Sequence, residues 1–92
     1  MLKVKMTSRF KKDWKKITKR GYDVKKFEKV LNLLIKEQPL DEKYRDHKLI
    51  GNYEGCRECH IEPDWLLIYY IENNILTLTL SRTGTHSDLF NE

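Results

Sequence analysis

Apolar and polar residues recur with two different periods along this chain of 92 residues. In residues 2–6 apolar residues alternate with lysine, and this period of two predicts a strand with one face in water. Between residues 7 and 38 apolar residues recur three or four positions apart, which predicts two amphipathic helices. From Tyr53 onward the period returns to two. The pattern therefore predicts one strand, then two helices, then a set of strands.

Capping and helix-breaking residues mark the ends of the two predicted helices. Thr7 or Ser8 can cap the first helix, since either hydroxyl can accept a hydrogen bond from a free backbone N–H group. Gly21 can end that helix in a left-handed conformation. Asp23 can cap the second helix, and Pro39 ends it because proline disfavours helical geometry in the residue before it. The short link at Gly21 makes the two helices a hairpin.

Three further strands are predicted at about residues 55–61, 65–71 and 75–82. Turn-forming residues separate them, Glu62-Pro63-Asp64 in the first gap and Glu72-Asn73-Asn74 in the second. The middle strand is apolar on both faces, so we expect it at the centre of a sheet. We therefore predict a single domain over residues 1–92, of the α+β class. In this fold an N-terminal strand, the helical hairpin and an antiparallel β-meander form one sheet covered by the two helices.

The charged residues are segregated along the chain. The net charge is +4, and 35% of the residues are charged. Residues 1–36 hold 13 Lys and Arg against 3 Asp and Glu, whereas residues 37–92 hold 5 against 11. The first part therefore carries +10 and the second −6. Such a basic surface favours a polyanion partner, most often nucleic acid, although lysine-rich helix faces are also common as plain solvated surface.

The chain shows no sign of a membrane segment or a secretion signal. No apolar run approaches the roughly 18 to 20 residues that a membrane helix needs. The first residues lack the apolar block of a signal peptide. We therefore expect a soluble, cytoplasmic protein without a membrane partner.

The residues that follow the last predicted strand suit the handling of phosphate. Arg82 supplies a fixed fork of hydrogen-bond donors, and His86 can exchange a proton near neutral pH. Phe90 can stack on a base, although an aromatic residue near a chain end is also an ordinary packing residue. Small hydroxyl residues and one glycine separate these three side chains, which is a poor pattern for a core.

Other polar residues can reach the same edge of the predicted sheet. His60 and Asp64 flank the first turn of the meander, and His47 precedes the sheet on a loop. Each histidine alone is more often structural than catalytic. Together with Arg82 they suit RNA cleavage by internal attack, in which a base removes the proton of the ribose 2′-hydroxyl and an acid protonates the departing 5′-oxygen. Trp65 could stack on a splayed base or be an ordinary core residue.

Three segments of the chain resemble the RelE/ParE superfamily of bacterial toxins, and most closely its YafQ-like messenger-RNA interferases. These segments are residues 46–51, 60–69 and 82–90. The resemblance covers the whole chain in length and element order. It implies a RelE-like fold and a ribosome-dependent endoribonuclease that cuts messenger RNA during translation. Such a protein is the toxin of a type II toxin–antitoxin system and arrests growth.

The resemblance also implies roles for particular residues. Four side chains would surround the scissile phosphate, namely His47, His60, Asp64 and His86. Arg82 would stabilise the charge that develops on the phosphate, and Trp65 and Phe90 would stack on RNA or shape the pocket. Internal attack requires no metal ion, and we expect no other cofactor.

The assignment of acid and base follows only in part from the resemblance. We expect His86 to be the general acid, because it follows the phosphate-binding Arg82 on a flexible turn. The general base stays open among Asp64, His60 and His47. An aspartate can serve as the base only if a neighbour or burial raises its pKa toward neutrality.

Macromolecular partners are implied as well. They are a cognate antitoxin protein, messenger RNA and the ribosome, in particular the 16S ribosomal RNA of the 30S subunit. The first helix would dock on ribosomal RNA through its exposed lysines, which are Lys11, Lys12, Lys15, Lys16 and Lys19. Contacts of this kind are sensitive to salt and independent of sequence.

Cys56 and Cys59 depart from the pattern of the family. A Cys-x-x-Cys pair can bind a metal or act in redox chemistry, but only on a turn or knuckle that brings the two thiols together. On a strand, residues three apart point to opposite faces. We therefore expect two reduced and partly buried thiols.

Two other functions fit the same sequence. One is a toxin of the ParE branch, which is directed at gyrase and cuts no RNA. The other is a basic RNA-binding module whose histidines only contact phosphate. RNA cleavage that is lost on His86→Ala substitution would separate the nuclease from both alternatives.

Overall fold

Five strands form one mixed sheet in the computed structural model, which describes residues 1–90. The strands are β1 (Lys3–Met6), β2 (His47–Lys48), β3 (Arg57–Glu62), β4 (Trp65–Glu72) and β5 (Thr77–Gly84). Their order in the sheet is β1-β5-β4-β3-β2. β1 runs parallel to β5, and every other neighbouring pair is antiparallel. The predicted α+β class is confirmed, with the apolar strand β4 at the centre.

Three helices accompany the sheet, α1 (Ser8–Lys19), α2 (Val24–Ile35) and α3 (His86–Phe90). The two long helices are capped as predicted. The Thr7 hydroxyl accepts a hydrogen bond from the Phe10 N–H group at 3.0 Å, and the Asp23 carboxylate accepts one from the Lys25 N–H group at 3.0 Å. No helix within residues 1–90 has the length and apolar composition to cross a membrane.

The helices α1 and α2 cover one face of the sheet and form the main core with it. Phe10 and Ile17 of α1 and Phe27 of α2 are at most 5% exposed, and they pack with Leu67 and Leu80 of the sheet. The rings of Phe10 and Phe27 lie 6.1 Å apart, so the two helices also contact each other. Burying one side chain of this size contributes about 1.5–3 kcal/mol. The prediction that the helical pair covers the sheet is confirmed.

A smaller apolar cluster lies on the opposite face of the sheet. Leu66 and Ile68 of β4 are buried there with Leu89 of α3, because alternate residues of a strand point to opposite faces. Tyr53 and Phe90 pack against this cluster. We call this side of the sheet the site face and the helix-covered side the core face.

A bulge in β5 decides which face Arg82 occupies. Leu80 pairs with Tyr69 while Arg82 pairs with Ile68, so Ser81 has no partner on β4. The Thr7 hydroxyl donates a hydrogen bond of 2.7 Å to the Ser81 carbonyl. Without the bulge, Arg82 would share the core face with Leu80, since the two are two residues apart. The bulge instead turns Arg82 to the site face, as bulges next to functional sites often do.

Some predicted boundaries were wrong. β5 begins at Thr77 because residues Asn73–Ile75 form a short 3₁₀ turn, and it runs on to Gly84. His47 does not lie on a loop but on β2, a two-residue strand that exists only because it pairs with β3. The segment before it contains a 3₁₀ turn at Glu42–Tyr44. The last two positions of the predicted domain, 91 and 92, lie outside the described residues.

Candidate active site

Three histidine side chains come together on the site face. The ring centroids of His47 and His60 lie 6.3 Å apart, and those of His60 and His86 lie 5.6 Å apart. The strand register explains the arrangement, since His60 pairs with Leu66, which pairs with Gly84, two residues before His86. We call His47, His60 and His86 the histidine row. His60 lies in the middle of the row, so the three rings are close enough to contact one bound group.

Asp64 holds His86 in a defined orientation. One carboxylate oxygen, Oδ1, accepts a hydrogen bond from the His86 backbone N–H at 2.9 Å and another from its ring nitrogen Nδ1 at 2.6 Å. Both bonds lower the pKa of Asp64 below its ordinary value, and the backbone bond has the larger effect. Asp64 is therefore an ionised acceptor at neutral pH. Because an ionised carboxylate can only accept, Nδ1 of His86 carries a proton, and Nε2 is the ring nitrogen that Asp64 leaves free.

A carboxylate that the sequence analysis missed joins the other two histidines. Glu58 is buried, and its Oε1 atom lies 3.2 Å from Nε2 of His60 and 3.5 Å from Nε2 of His47. A signal for it exists in the sequence, because Glu58 precedes His60 by two residues on one strand and so shares its face. The buried carboxylate thus places a hydrogen-bond acceptor between the two imidazole rings.

The second ring nitrogen of each of these histidines meets a backbone carbonyl. His47 Nδ1 lies 2.6 Å from the Arg45 carbonyl oxygen, and His60 Nδ1 lies 3.3 Å from that of Pro63. Both nitrogens of His60 thus face acceptors, and a histidine can donate to both only when both nitrogens carry protons. The contact from His47 to Glu58 is longer, at 3.5 Å. His47 is therefore the ring of this pair with the freer Nε2 atom.

Arg82 reaches the site face but is held by a buried aspartate of α1. Its Nε and Nη2 atoms donate to the Asp13 carboxylate at 2.7 and 2.9 Å, and these bonds raise the pKa of Arg82. Asp13 is 7% exposed and also accepts a bond from the Thr83 N–H group at 3.2 Å. Arg82 Nη1 donates to the Tyr53 hydroxyl at 3.4 Å, so this is the guanidinium nitrogen that Asp13 does not hold.

Asp13 was missed in the sequence, although a signal was present. It lies three residues after Phe10 and four before Ile17, on the apolar stripe of α1 and not among the exposed lysines. A carboxylate on the buried face of a helix needs a partner, because burying an unpaired charge is costly. The partner is Arg82.

The two aromatic residues proposed for the pocket differ in access. Trp65 is 0% exposed, its Nε1 atom donates to the Thr83 hydroxyl at 2.9 Å, and Tyr22 packs edge-on against it. Of the alternatives left open for Trp65, the structure therefore favours the core residue, because the indole is completely buried. Phe90 is half-buried on the site face, with its ring 5.9 Å from that of Tyr53.

An ion pair fixes the helix that carries His86. Arg20, at the end of α1, donates to both carboxylate oxygens of Asp88 at 2.6 and 3.0 Å. Asp88 also accepts a bond from the Thr85 N–H group at 3.0 Å, and the Arg20 guanidinium lowers the pKa of the Asp88 carboxyl. A Cβ atom at Gly84, which has a φ of 154°, would lie 3.0 Å from Asp88. The start of α3 is thus closely packed.

The five lysines proposed to dock on ribosomal RNA are all exposed on α1. α1 covers the core face, whereas the histidine row lies on the site face. The two groups therefore lie on opposite sides of the sheet. The bridge between Arg20 and Asp88 connects α1 to α3 at one edge.

The two cysteines lie apart, as predicted. Cys59 is completely buried in the core, and Cys56 packs against the cluster on the site face. Burial raises the pKa of both thiols, so both favour the protonated form. Within residues 1–90 no three His, Cys, Asp or Glu side chains are placed to share a metal ion. That the chemistry uses no metal remains a prediction.

Comparison with known proteins gives consistent matches over the whole chain. The family model for the bacterial toxin of the type II toxin–antitoxin system, YafQ, matches residues 2–91. The mRNA interferase toxin YafQ of Escherichia coli K12 is 40% identical over 88 residues, which cover 95% of this chain and 94% of that protein.

Solved structures agree with these matches. A metal-bound toxin from Helicobacter pylori is 47% identical and superposes with a TM-score of 0.92, covering 98% of this chain and 100% of that one. The toxin in the E. coli DinJ–YafQ complex is 38% identical with a TM-score of 0.88, covering 98% and 99% of the two chains.

Proposed function

This chain belongs to the YafQ family of bacterial type II toxin–antitoxin toxins, and we propose that it is an endoribonuclease that cuts messenger RNA. The E. coli relative is an mRNA interferase, and 40% identity extends along almost the whole of both chains. The observation that carries the proposal here is the histidine row with its two carboxylates. Three imidazoles within 6.3 Å of their neighbours can take up, hold and release protons around one phosphate.

The roles of the two outer histidines follow from their hydrogen bonds. The scissile phosphate lies over His60, between His47 and His86. His86 is the general acid, and its Nε2 atom protonates the departing 5′-oxygen while Asp64 stabilises the imidazolium through Nδ1. His47 is the general base, since the Arg45 carbonyl holds the Nδ1 proton and leaves Nε2 to accept the proton of the 2′-hydroxyl. The 2′-oxygen then bonds to phosphorus as the bond to the 5′-oxygen breaks.

Asp64 is not the base in this mechanism. A carboxylate base at neutral pH needs a raised pKa, whereas that of Asp64 is lowered by its bonds to His86. Asp64 is a positioning residue that sets the tautomer and orientation of the acid. Glu58 acts similarly for the other side of the site, where it stabilises the imidazolium that forms when His47 takes a proton.

Positive charge beside the phosphate comes from two groups. His60 donates to acceptors from both nitrogens when it is doubly protonated, and it then presents a fixed cation under the phosphate. Arg82 adds the charge of its Nη1 end, while Asp13 fixes the rest of the guanidinium. Fixed cations that meet developing negative charge are worth more in a partly buried site than in water.

The partners of the toxin are proposed on two grounds. The E. coli relative has been solved in a DinJ–YafQ toxin–antitoxin complex, so we assign this chain a cognate antitoxin. We further propose that it cuts message on the ribosome and docks on 16S ribosomal RNA. Support for docking comes from the exposed lysines of α1, which make no ion pair within residues 1–90; they are Lys11, Lys12, Lys15, Lys16 and Lys19.

The test is primer extension on a message that is being translated in a purified system. The parent protein should produce new 5′ ends at discrete codons, and His86→Ala should lose at least about 100-fold of the rate, as expected when a general acid is removed. Ser87→Ala, an exposed change next to the same residue, is the control and should cut normally. A folded parent that cuts nothing, or a fully active His86→Ala variant, contradicts the proposal and directs attention to topoisomerase inhibition.

A further inference from the structure

A basic cleft adjoins the histidine row at the edge of the sheet. Its volume is about 670 Å³, and it lies between α2, the turn Glu42–Tyr44 and the end of β3. Its cationic side chains are Lys26, Lys29, Lys43 and Arg45. His60, the middle residue of the row, forms part of its wall, so the cleft adjoins the row. Binding sites for small molecules commonly measure about 300–1,000 Å³, so one or two nucleotide units fit in this space.

Most of the positive charge in the cleft lacks an anionic partner. Lys26 pairs with Glu62 at 3.0 Å, and Glu62 is the single carboxylate in the lining. Lys29, Lys43 and Arg45 make no ion pair with any residue in the described part of the chain. Lys43 lies only over the Tyr44 ring, 5.1 Å from its centroid. The cleft therefore holds an excess of three positive charges in a concave space, where they reinforce each other's attraction for an anion.

The cleft and the catalytic residues share their framework. Arg45 adopts a left-handed conformation with φ 47° and ψ 43°, which is unfavourable for a residue other than glycine. This turn of the backbone aims the Arg45 carbonyl at His47 Nδ1 and leaves the Arg45 side chain in the cleft lining. One residue thus orients the proposed base and contributes charge to the cleft.

We propose that the basic cleft binds the sugar–phosphate backbone of the message on the 5′ side of the cut. The inference rests on the function proposed above. Internal attack proceeds in line, so the 2′-hydroxyl and the departing 5′-oxygen lie on opposite sides of phosphorus. The 5′-oxygen belongs to the nucleotide after the cut and lies at His86, which places the preceding nucleotide at His47. Arg45, which lines the cleft, lies two residues before His47, so nucleotides further upstream enter the cleft from this side.

Phosphate contacts of this kind position a strand without reading its sequence. The cleft would fix the register of the message so that one phosphate lies over His60. This contribution is separate from docking on ribosomal RNA, since the docking lysines belong to α1 and the cleft is lined by α2 and the turn before β2.

The test compares two double variants with the same net charge. Lys29→Gln with Lys43→Gln removes two unpaired cations of the cleft and spares Arg45, whose backbone holds His47. Lys25→Gln with Lys36→Gln is the matched control, because both lysines are exposed on or next to α2 outside the cleft. Thermal unfolding should show all three proteins folded to the same extent.

Cleavage of translated message is then measured across a range of salt concentrations. Each phosphate contact to a single strand contributes about 0.7 to the slope of log rate against log salt, so the cleft variant should lose about 1.4 of slope. Its kcat/KM should fall roughly tenfold at low salt, with no change in the control pair. Cleavage at the parental rate by the cleft variant would overturn the proposal.

Neutral methylphosphonate linkages in the message identify the strand that the cleft binds. Neutral linkages just 5′ of the cut should slow the parent and have no further effect on the cleft variant, and linkages 3′ of the cut should slow both proteins equally. If the cleft variant is slow but neutral linkages 5′ of the cut leave the rate of the parent unchanged, the cations contact ribosomal RNA and the assignment to the message is wrong. A parent that cuts no message would instead refute the proposed function itself.

Discussion

At the scale of single residues, the most informative contact joins Asp64 to His86. Because the carboxylate is ionised and holds the Nδ1 proton, its removal should impair the acid without removing it. We expect Asp64→Asn to lower kcat by about 10- to 100-fold, which is the range in which orienting partners of a functional histidine usually act.

The pH profile of cleavage distinguishes this positioning role from that of a general base. The pKa of Asp64 is lowered by its bonds to His86, so the carboxylate does not titrate near neutral pH, and its removal should lower the rate without removing a limb of the profile. Cleavage measured against pH for the parent and the variant tests this. If Asp64 were the general base, the variant would instead lose the acid limb, and the assignment of His47 would be wrong.

Sequence alone predicts the ionisable residues of the site better than their roles. The motifs around His47, His60 and His86 pick out side chains that the structure brings together. Glu58 was missed because one more carboxylate does not stand out in a chain with many charged residues. Only the pairing of β2 with β3 shows that it lies between two histidines. The role of Trp65 stayed open because the sequence does not show whether an aromatic residue at a strand end faces the core or the solvent.

At the scale of elements, the ion pair of Asp13 and Arg82 ties α1 to the unpaired edge of β5. β1 pairs with β5 only as far as Leu80, and Asp13 takes over the next free N–H group at Thr83. Removing one member of a buried pair leaves the other uncompensated. We expect Asp13→Ala to lower the free energy of unfolding by about 3 kcal/mol, the low end of the range for such changes because Arg82 retains some access to water.

Urea unfolding measures this loss against a control on the other helix. Glu28→Ala removes an exposed carboxylate of α2 and should change stability by less than about 0.5 kcal/mol. Equal stability of the two variants would show that the pair between α1 and β5 contributes nothing net. Asp13→Asn keeps the shape of the side chain and should lie between them.

A second element contact, between Arg20 and Asp88, gives a pH-dependent prediction. The pKa of Asp88 is lowered in the folded protein by Arg20, so the contribution of this bridge is complete above the unfolded value of about 3.9 and is lost as the pH falls toward the folded value. Arg20 is 40% exposed, so the bridge contributes at most about 1 kcal/mol. The stability difference between the parent and Arg20→Ala should therefore shrink below about pH 4.

Chemical unfolding at several pH values tests the bridge. Lys19→Ala, which removes a neighbouring exposed lysine without an ion pair in the described structure, is the control. The difference in stability between the parent and Lys19→Ala should stay constant while Asp88 titrates. A constant difference between the parent and Arg20→Ala from neutral to acid pH would mean that the bridge does not stabilise the fold.

The sequence predicts the large elements well because their periods and caps are local. The helices begin at the predicted caps, and the central strand is identified by its two apolar faces. β2 could not be predicted, since two residues carry no period and depend on pairing with β3. The bulge at Ser81 is equally hidden, because strict alternation would place Arg82 on the core face with Leu80.

At the scale of the whole molecule, the protein carries two separate basic surfaces, the lysines of α1 and the basic cleft. The lysines of α1 lie on the core face, the histidine row lies on the site face, and the basic cleft lies beside α2 at the edge of the sheet. A protein that docks on one RNA and cuts another gains from this separation, because the docking surface leaves the site open. The excess of +10 in residues 1–36 is thus shared between two surfaces, since α2 supplies Lys26 and Lys29 to the cleft.

The docking surface predicts how ribosome binding responds to salt. Charge reversal of four lysines of α1, Lys11, Lys12, Lys15 and Lys16, should weaken binding strongly at low salt and less at high salt. Four lost phosphate contacts should lower the slope of log affinity against log salt by about 3. Co-sedimentation with ribosomes measures this slope, and the His86→Ala background prevents cutting during the assay.

A set of four reversals elsewhere, at Lys3, Lys5, Lys25 and Lys36, is the control because it makes the same change in net charge. If both sets weaken binding equally, the attraction depends on net charge alone, and α1 is an ordinary solvated helix.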